Sequence, residues 1–450
     1  VDGDCDLTIT GGRAQSEIDV RLGAGIGESA SPPTPAPPEA PLTTPVQASA
    51  PPPAPPAGPE AAKPASGPAA TIRVDLERID RLEQRALRDY ASSPAAPWLF
   101  HDAFPIERVL QLGIAVVTNP GLAAAFEDHF VLIDQPTVPL RVKSQRLGSA
   151  RQLRDEMIVA CEKNGIRVHG PGQKYQAGVC HRIVVEDYAL PGTIIVLTDS
   201  HTPTAGVLNA FAFGVGSTAM SFALRTGLIP VTVPKTVRIV VRGDARGVVT
   251  PKDLILHLIG DPYFREEHWR QSPTDTCVIQ IGGPGLDQWD VDELSVLTNM
   301  TVEGGLMTGI VEPCQPLRDF LQQKRGLTPE AIEQMLIYPD ADASYVRTLE
   351  VDLAEVPLTV ATPGDSRNRQ PLADAVGTPI HNVVIASCTG GSLADLRAAA
   401  AVLRGRSVAS GVRVTVTPSS AEVSADAERE GILAMFRALG CVVTPPGCGS

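Results

Sequence analysis

Apolar runs long enough to cross a bilayer are missing. None in the 450 residues approaches the ~18–20 that a spanning helix needs, so no membrane partner is expected. Surplus positive charge is missing too. Lys and Arg number 38 against 51 Asp and Glu, a formal net charge of −13, which argues against non-specific nucleic-acid binding. No secretory signal is visible, and the sequence reads as a fragment beginning at Val1. Cysteines are few: Cys5, Cys161, Cys180, Cys277, Cys314, Cys388, Cys441 and Cys448. In a long chain with 43% hydrophobic residues and no secretion signal, free thiols in a reducing, cytoplasmic compartment are expected, available for metal or redox use.

What is there divides unevenly. Residues 31–70 hold 15 of the 41 prolines among Ala, Ser and Gly. Such a segment buries too little apolar surface to offset its ordering entropy, so a disordered linker is expected. Thr71 to Arg85 places Val74, Leu76, Ile79 and Leu82 at roughly helical spacing, predicting a short amphipathic helix within 71–95. From about Pro97 the chain reads as globular. Thr193 to Leu197 and "TVRIVVRG" (236–243) read as strands; Ser217 to Thr226 and "PKDLILHLIG" (251–260) read as helices. The last third alternates: strand 382–387, helix 393–406, strand "VRVTVTP", one helix over "SAEVSADAEREGILAMFRALG", strand "CVVTP". That β-α-β-α-β order predicts a parallel sheet covered by helices.

In parallel sheets, sites gather at the carboxyl ends of strands. Three polar groups fall there: Asp199-Ser200-His201, Cys388 after "VVIAS", and Cys448 after "CVVTPPG". Each also has a plain structural reading, as helix-capping residues, a packed thiol and a tight Gly turn. "FGVGSTA" (213–219) carries a G-x-G-x-x-A pattern, but the acidic residue a dinucleotide site needs ~20 positions on is absent. Arg238, Ile239 and Val240 occupy that region, so helix packing or anion capture at the helix start fits better.

Taken together, five stretches in order resemble the aconitase superfamily, particularly the large subunit of 3-isopropylmalate dehydratase. "GVCHRIVVEDYALPGTIIVLTDSHTPTAGVLNAFAFGVG" is similar to that family's G-I-x-H, P-G, D-S-H-T and A-x-G-x-G run. "VPKTVRIVVRGDARGVVTPKDLILHLIG" looks like its V-P-E-T segment, "LTNMTVEGGLMTGIVEP" its N-M-x-x-E-x-G motif, "IASCTGGSLADLRAAAAVL" its S-C-T-N segment and "GCVVTPPGCGS" the start of its P-G-C-x-x-C loop. The resemblance runs from about residue 125 to the end.

It implies a hydro-lyase that dehydrates and rehydrates a small hydroxy-di- or tricarboxylic acid on a 4Fe–4S cluster. Thiolates are the ligands of such clusters. Carried over residue by residue, Cys388 is the first and Cys448 the second, with the third expected just past Ser450. An iron without a protein thiolate is a Lewis acid that polarises the C–OH bond. The departing hydroxide needs a proton, which an imidazole beside a carboxylate supplies. His201 with Asp199 takes that role, His181 is a second imidazole, and Glu303 is a further catalytic residue. Asn299, Ser200 and Thr202 are implied as substrate contacts. An earlier Asp-His pair matches Asp128-His129, with "IDQPTVP", where Gln135 replaces the His, as the competing alignment. Gly390 and Ser392 stand where the family has Asn and Arg. A separate small, swivel-domain subunit is the implied partner, supplying substrate-binding Arg and a Ser base.

The N-terminus differs. "VDGDCDLTIT" and "TIRVDLERIDRL" resemble pieces of a chemotaxis histidine kinase, without its phosphoacceptor or ATP-binding regions. The expected fold is α/β, with aconitase-like three-layer α/β/α domains of mostly parallel sheets after a disordered Pro-rich N-terminal segment. The expected layout is an unrelated fragment (1–30), the linker (31–70), the short helix (71–95) and domains at 96–235, 236–345 and 346–450. The competing reading is a catalytically incomplete dehydratase-like fragment fused to a kinase-like scaffold segment.

Overall fold

The computed structural model describes residues 120–127, 146–229, 231, 233–265 and 276–448, with four short strands before residue 101. Two compact units divide at Ala86 and Leu87. In the first, β1 (Asp6–Ile9) pairs antiparallel with both β2 (Val20–Leu22) and β3 (Thr71–Arg73). The expected helix from Thr71 therefore begins as a strand, because Thr71–Arg73 satisfies its backbone against β1. Residues 74–95 and the expected linker at 31–70 lie outside the described residues.

The second unit carries three parallel sheets. In the first, β4 (Trp98–Phe100), β5 (Ala123–Phe126), β6 (Arg167–His169), β7 (Ile194–Leu197) and β8 (Phe211–Gly214) run in the order 6-5-4-7-8, every pair parallel. The order reverses between β4 and β7, and such a switch point opens a crevice at the strands' carboxyl ends. Asp199 to His201 leave β7 there. Alternate strand residues divide between two cores, as a sheet buried on both faces requires. Ala123, Ala125, Val196 and Phe213 pack with Met157 and Cys161 of helix Arg146–Asn164 and Met220 of helix Ser217–Thr226. Phe126, Ile195 and Leu197 join one core with Val237, Ile239 and Ile281 of the second sheet.

That second sheet holds β9 (Lys235–Arg242), β10 (Cys277–Gly282), β11 (Thr308–Val311) and β12 (Arg347–Asp352) in the order 11-10-9-12, all parallel. It thus takes its edge strand from beyond residue 345. A hairpin follows, β13 (Thr359–Ala361) with β14 (Arg369–Pro371). Asp253, on helix Pro251–Ile259, accepts from the Thr359 amide at 2.7 Å, and the Arg369 guanidinium donates to the His257 carbonyl at 2.7 Å.

The third sheet, β15 (Asn382–Ile385), β16 (Arg413–Val416) and β17 (Val442–Val443), is parallel and has its own core around Leu396, Val416 and Phe436. The expected single helix after β16 is two, Ala421–Arg429 and Ile432–Ala438, because Gly431 turns left-handed at φ +74°.

This third layer docks through backbone. Gly178 bridges antiparallel to Ser420. The Val179 amide donates to the Ser419 carbonyl at 2.7 Å, and the Ala421 amide to the Ala177 carbonyl at 2.8 Å. Buried charge reinforces the seam. The Ser420 hydroxyl donates to Glu186 Oε1 at 3.0 Å, and Arg182 Nε donates to the same oxygen at 2.9 Å. At the seam's exposed edge, Lys324 pairs with Glu422. Removing one partner of a buried charge leaves the other uncompensated, so this group acts as a unit.

A Cβ on Gly178 would lie 2.7 Å from both the Ser419 oxygen and the Ser420 Cα, and backbone on both sides has little room to yield. Gly178→Ala is expected to cost about 1–3 kcal/mol of docking stability. In urea titration followed by limited proteolysis, the variant should release the region after residue 380 at lower denaturant than wild type. An unchanged release midpoint would contradict this account of the seam.

Candidate active site

Asp199 is buried at the end of β7, and its Oδ1 accepts the His201 amide at 2.6 Å. The chain then tightens into a buried 3-10 turn, Thr202–Leu208. The Thr202 hydroxyl donates to the Asp199 carbonyl at 2.5 Å and the Thr204 hydroxyl to the His201 carbonyl at 2.6 Å. Local hydrogen bonds of this kind are what Asp, Ser and Thr offer a strand end, so the capping reading and the functional one describe the same turn.

The ring partners differ from the expected ones. Asp199 Oδ1 lies 3.0 Å from Nδ1 of His181, on the helical turn Cys180–Ile183, not against the His201 ring. His201 Nε2 instead faces Glu303 Oε1 at 3.2 Å, with the Ser200 hydroxyl 3.2 Å from its Nδ1. The reason is a local hydrogen bond. The Asp199 carboxylate is folded back onto the His201 amide, and the two imidazoles stand side by side with centroids 5.9 Å apart. The expected acid–imidazole pair is therefore two pairs, Asp199–His181 and Glu303–His201.

Cys388 joins them from the third sheet. It follows Ser387, whose φ of +71° is left-handed for a residue with a Cβ. That conformation costs about 1–2 kcal/mol and clusters at functional sites. The Ser387 hydroxyl is 3.5 Å from the Cys388 sulfur. The loops after the three strands are tied together: the Thr417 amide donates to Ile385, Ser419 to Gly391, Thr444 to Val416 and Gly447 to Pro418, at 2.9, 2.9, 2.9 and 3.2 Å. The first and last of these loops carry Cys388 and Cys448. At Gly390, where the family has Asn, a Cβ would meet the Ala386 carbonyl oxygen at 2.9 Å. Ser392, in place of the family's Arg, caps helix Leu393–Leu403 in a capping box with Asp395. Its side chain holds the helix end.

The charges settle into a consistent pattern. Burial alone would neutralise His181, but the Asp199 carboxylate and the Cys388 sulfur outweigh it and its pKa rises to about 10. Burial also opposes charge on His201; the hydrogen bond to Glu303 and the Cys388 charge overcome it and raise its pKa. Glu303 is held below the usual carboxylate range by its hydrogen bond with His201. Burial would raise the Cys388 thiol, yet the charge and hydrogen bonding of His181, with His201 behind it, bring it down to about 6. Nε2 of His181 is buried with no hydrogen bond of ordinary length and direction, although the Cys388 sulfur is near enough to interact with it. Cys180 adds a sulfur whose distance to the His181 and Asp199 ligand atoms is within 4.8 Å.

The remaining expected residues divide. Asn299 is fully buried; its Nδ2 donates to the Thr204 hydroxyl at 2.8 Å, so it braces the turn behind His201 from inside the core. Thr202 is likewise buried in the turn. Ser200 is exposed beside the His201 ring. Asp128, His129 and Gln135 lie outside the described residues. The seven described cysteines are unbridged. One contributor was not anticipated from the sequence: the Ser366 hydroxyl donates to Glu303 Oε2 at 3.2 Å. The polar run "GDSRNR" between two short strands was the available signal.

Compared with known families, residues 103–379 and 370–450 match the aconitase family (aconitate hydratase). The chain belongs to the aconitase family. Among its relatives, the methanogen homoaconitase large subunit of Methanocaldococcus jannaschii is 37% identical over 277 residues, 60% of this chain and 64% of that protein. The 3-isopropylmalate dehydratase large subunit 1 of Pyrococcus furiosus is 34% identical over 348 residues, 76% of each chain. A probable 3-isopropylmalate dehydratase large subunit of Methanothermobacter thermautotrophicus is 37% identical over 273 residues, 60% of this chain and 62% of its own. The chain thus spans less than two thirds of the first and third of these relatives and about three quarters of the second. The family match begins at residue 103, so the N-terminal kinase resemblance stands on its short motifs alone. Among the described residues of this aconitase-family chain, no helix is long and apolar enough to cross a membrane.

The Cys388 shift gives a direct test. Below about pH 6 the sulfur is protonated, and above it the sulfur is thiolate, the nucleophilic form. Iodoacetamide labelling of the metal-free chain should therefore rise to a plateau with a midpoint near pH 6. Cys161 and Cys314, pushed by burial up to about 12 and about 11, should stay unlabelled at neutral pH. His181→Gln should move the Cys388 midpoint upward. Peptide mass mapping across pH reads all three, and a wild-type midpoint above pH 8 would contradict the assigned charge pattern.

Proposed function

We propose that this chain is the large subunit of a hydro-lyase that removes and restores water on a small hydroxy-di- or tricarboxylic acid of the isopropylmalate or aconitate type. One observation carries the reading. Two carboxylate–imidazole pairs and a low-pKa thiol, drawn from β7, the Cys180–Ile183 turn, the Glu303 turn and the loop after β15, converge on one place. A buried structural site has no need of three separately tuned charges.

The donor set fits the family's 4Fe–4S cluster. Cys388 is already a thiolate near neutral pH, and the buried Nε2 of His181 has no ordinary partner on that side. Cys388 and Cys448 would hold it, with Cys448 on the neighbouring loop. When bound, the cluster would supply a Lewis-acidic iron for the substrate hydroxyl.

The chain's own residues do the rest. His201, whose hold on a proton is strengthened by Glu303 and the Cys388 charge, delivers that proton to the departing hydroxyl, which leaves as water. Glu303, kept ionised, orients that imidazole and stabilises its charged form. Asp199 fixes the His181 ring and holds the turn that aims His201. Asn299 and Thr204 keep that turn from shifting. The base that takes the carbon-bound proton is assigned to a separate small subunit, as in the family. The scaffold-fusion reading gains nothing from the matched residues.

With the chain extended to include the third cysteine expected just past Ser450, anaerobic incubation with iron and sulfide should give a brown protein with iron and sulfide in near-equal amounts. Cys388→Ser should lose most of that iron. With a small subunit added, His201→Asn should lower kcat by about 10²–10⁴ while leaving iron content unchanged. Assay against 3-isopropylmalate, citrate and homocitrate then identifies the acid. An extended wild-type chain that stays colourless and iron-free would overturn the reading.

A further inference from the structure

Glu303 opens onto a cavity of about 460 Å³ whose other lining residues, Ala361, Thr362, Gly364, Asp365 and Ser366, belong to the β13–β14 hairpin and its tip. Small-molecule sites commonly have this size. We propose that Ser366 is a positioning residue: its hydroxyl, from the hairpin tip, sets the Glu303 carboxylate so that the other oxygen meets His201.

The geometry is a three-member relay. Ser366 Oγ donates to Glu303 Oε2 at 3.2 Å, and Glu303 Oε1 meets His201 Nε2 at 3.2 Å. Glu303 is only half-buried, with 34% of its side chain exposed. A carboxylate that open rotates freely about its last torsion unless both oxygens are engaged. With Ser366 on one oxygen, the other faces the imidazole.

The hairpin tip is built to hold that hydroxyl still. Asp365 Oδ1 accepts the Arg367 amide at 2.8 Å, closing a local turn around Ser366. Arg367 grips the Asp365 carboxylate with two bonds, at 2.9 and 2.7 Å, so its charge is matched beside Glu303. The Thr362 amide donates to the Asn368 carbonyl at 2.8 Å across the tip. At the base, the Thr359–Asp253 and Arg369–His257 contacts fasten the hairpin to helix Pro251–Ile259.

The inference rests on the proposed function for its kinetic arm but not for its spectroscopic one. In the full chain labelled with 15N-histidine, the Nε2 proton of His201 should appear downfield, assigned by its loss in His201→Asn. Glu303→Gln should move it upfield. Ser366→Ala should move it in the same direction, and Ser366→Thr, which keeps the hydroxyl, should restore it. In the reconstituted enzyme with its small subunit, Ser366→Ala should lower kcat about tenfold with little change in KM, and Thr should recover most of the loss. A Ser366→Ala chain with the wild-type His201 resonance overturns the proposal. So does one whose kcat and KM both match wild type. A wild-type chain with no hydro-lyase activity counts against the proposed function instead, and the resonance then decides Ser366 alone.

Discussion

His181 is almost completely buried, and the Asp199 carboxylate 3.0 Å from its Nδ1 is what lets it carry charge there. An imidazolium without such a partner would lose its proton to escape desolvation. Once His181 is charged, the Cys388 sulfur opposite becomes a thiolate near neutral pH, and the negative sulfur in turn helps hold the proton on His201. The sites are coupled, so no single charge can be altered alone. A change at Asp199 would propagate to a cysteine 189 residues away in sequence, through one imidazole.

This coupling requires three layers of the protein to meet with little slack. His181 and Asp199 belong to the first parallel sheet's surroundings, Glu303 to the second, and Cys388 to the third. The backbone bridge at Gly178 and Ser420 sits three residues before His181, so the docking seam and the site are nearly the same place. Arg182, next to His181, and Glu186, on the helical segment Val184–Tyr188 that follows, bury their charges against Asp292 and Ser420. Buried ionic groups of this kind add little net stability relative to apolar packing, but they fix one geometry of docking, which a coupled charge site demands.

Asn299 illustrates how the second sheet contributes without reaching the cavity. Its amide braces Thr204, which braces the His201 carbonyl. Ser366 approaches from the opposite side, through Glu303. His201 is therefore held both through its backbone and through its ring. Such double support is what keeps a proton donor within the narrow geometric range that proton transfer tolerates.

The elements of the second unit that were legible in the sequence are those with local signals. Helix Ser217–Thr226 follows a Gly-rich turn, helix Pro251–Ile259 opens on Thr250 and Pro251, and the closing β-α-β-α-β run shows its periodicity directly. Strand ends singled out Asp199, His201 and Cys388, and the family resemblance added His181 and Glu303. Pairing was not legible. Asp199 is two residues from His201, yet its side chain takes a histidine 18 residues earlier, and His201 takes a glutamate 102 residues later. Ser420 carried no signal of its own, and Ser366 only the polar run around it, since a serine's role depends on what lies opposite its hydroxyl. Local pattern fixes which residues stand at the mouth of a strand, because hydrogen bonding and burial within an element act over a few residues. Which charge meets which is decided only when separate sheets close on one another, because desolvation and Coulomb energy depend on distances that exist only in the packed chain.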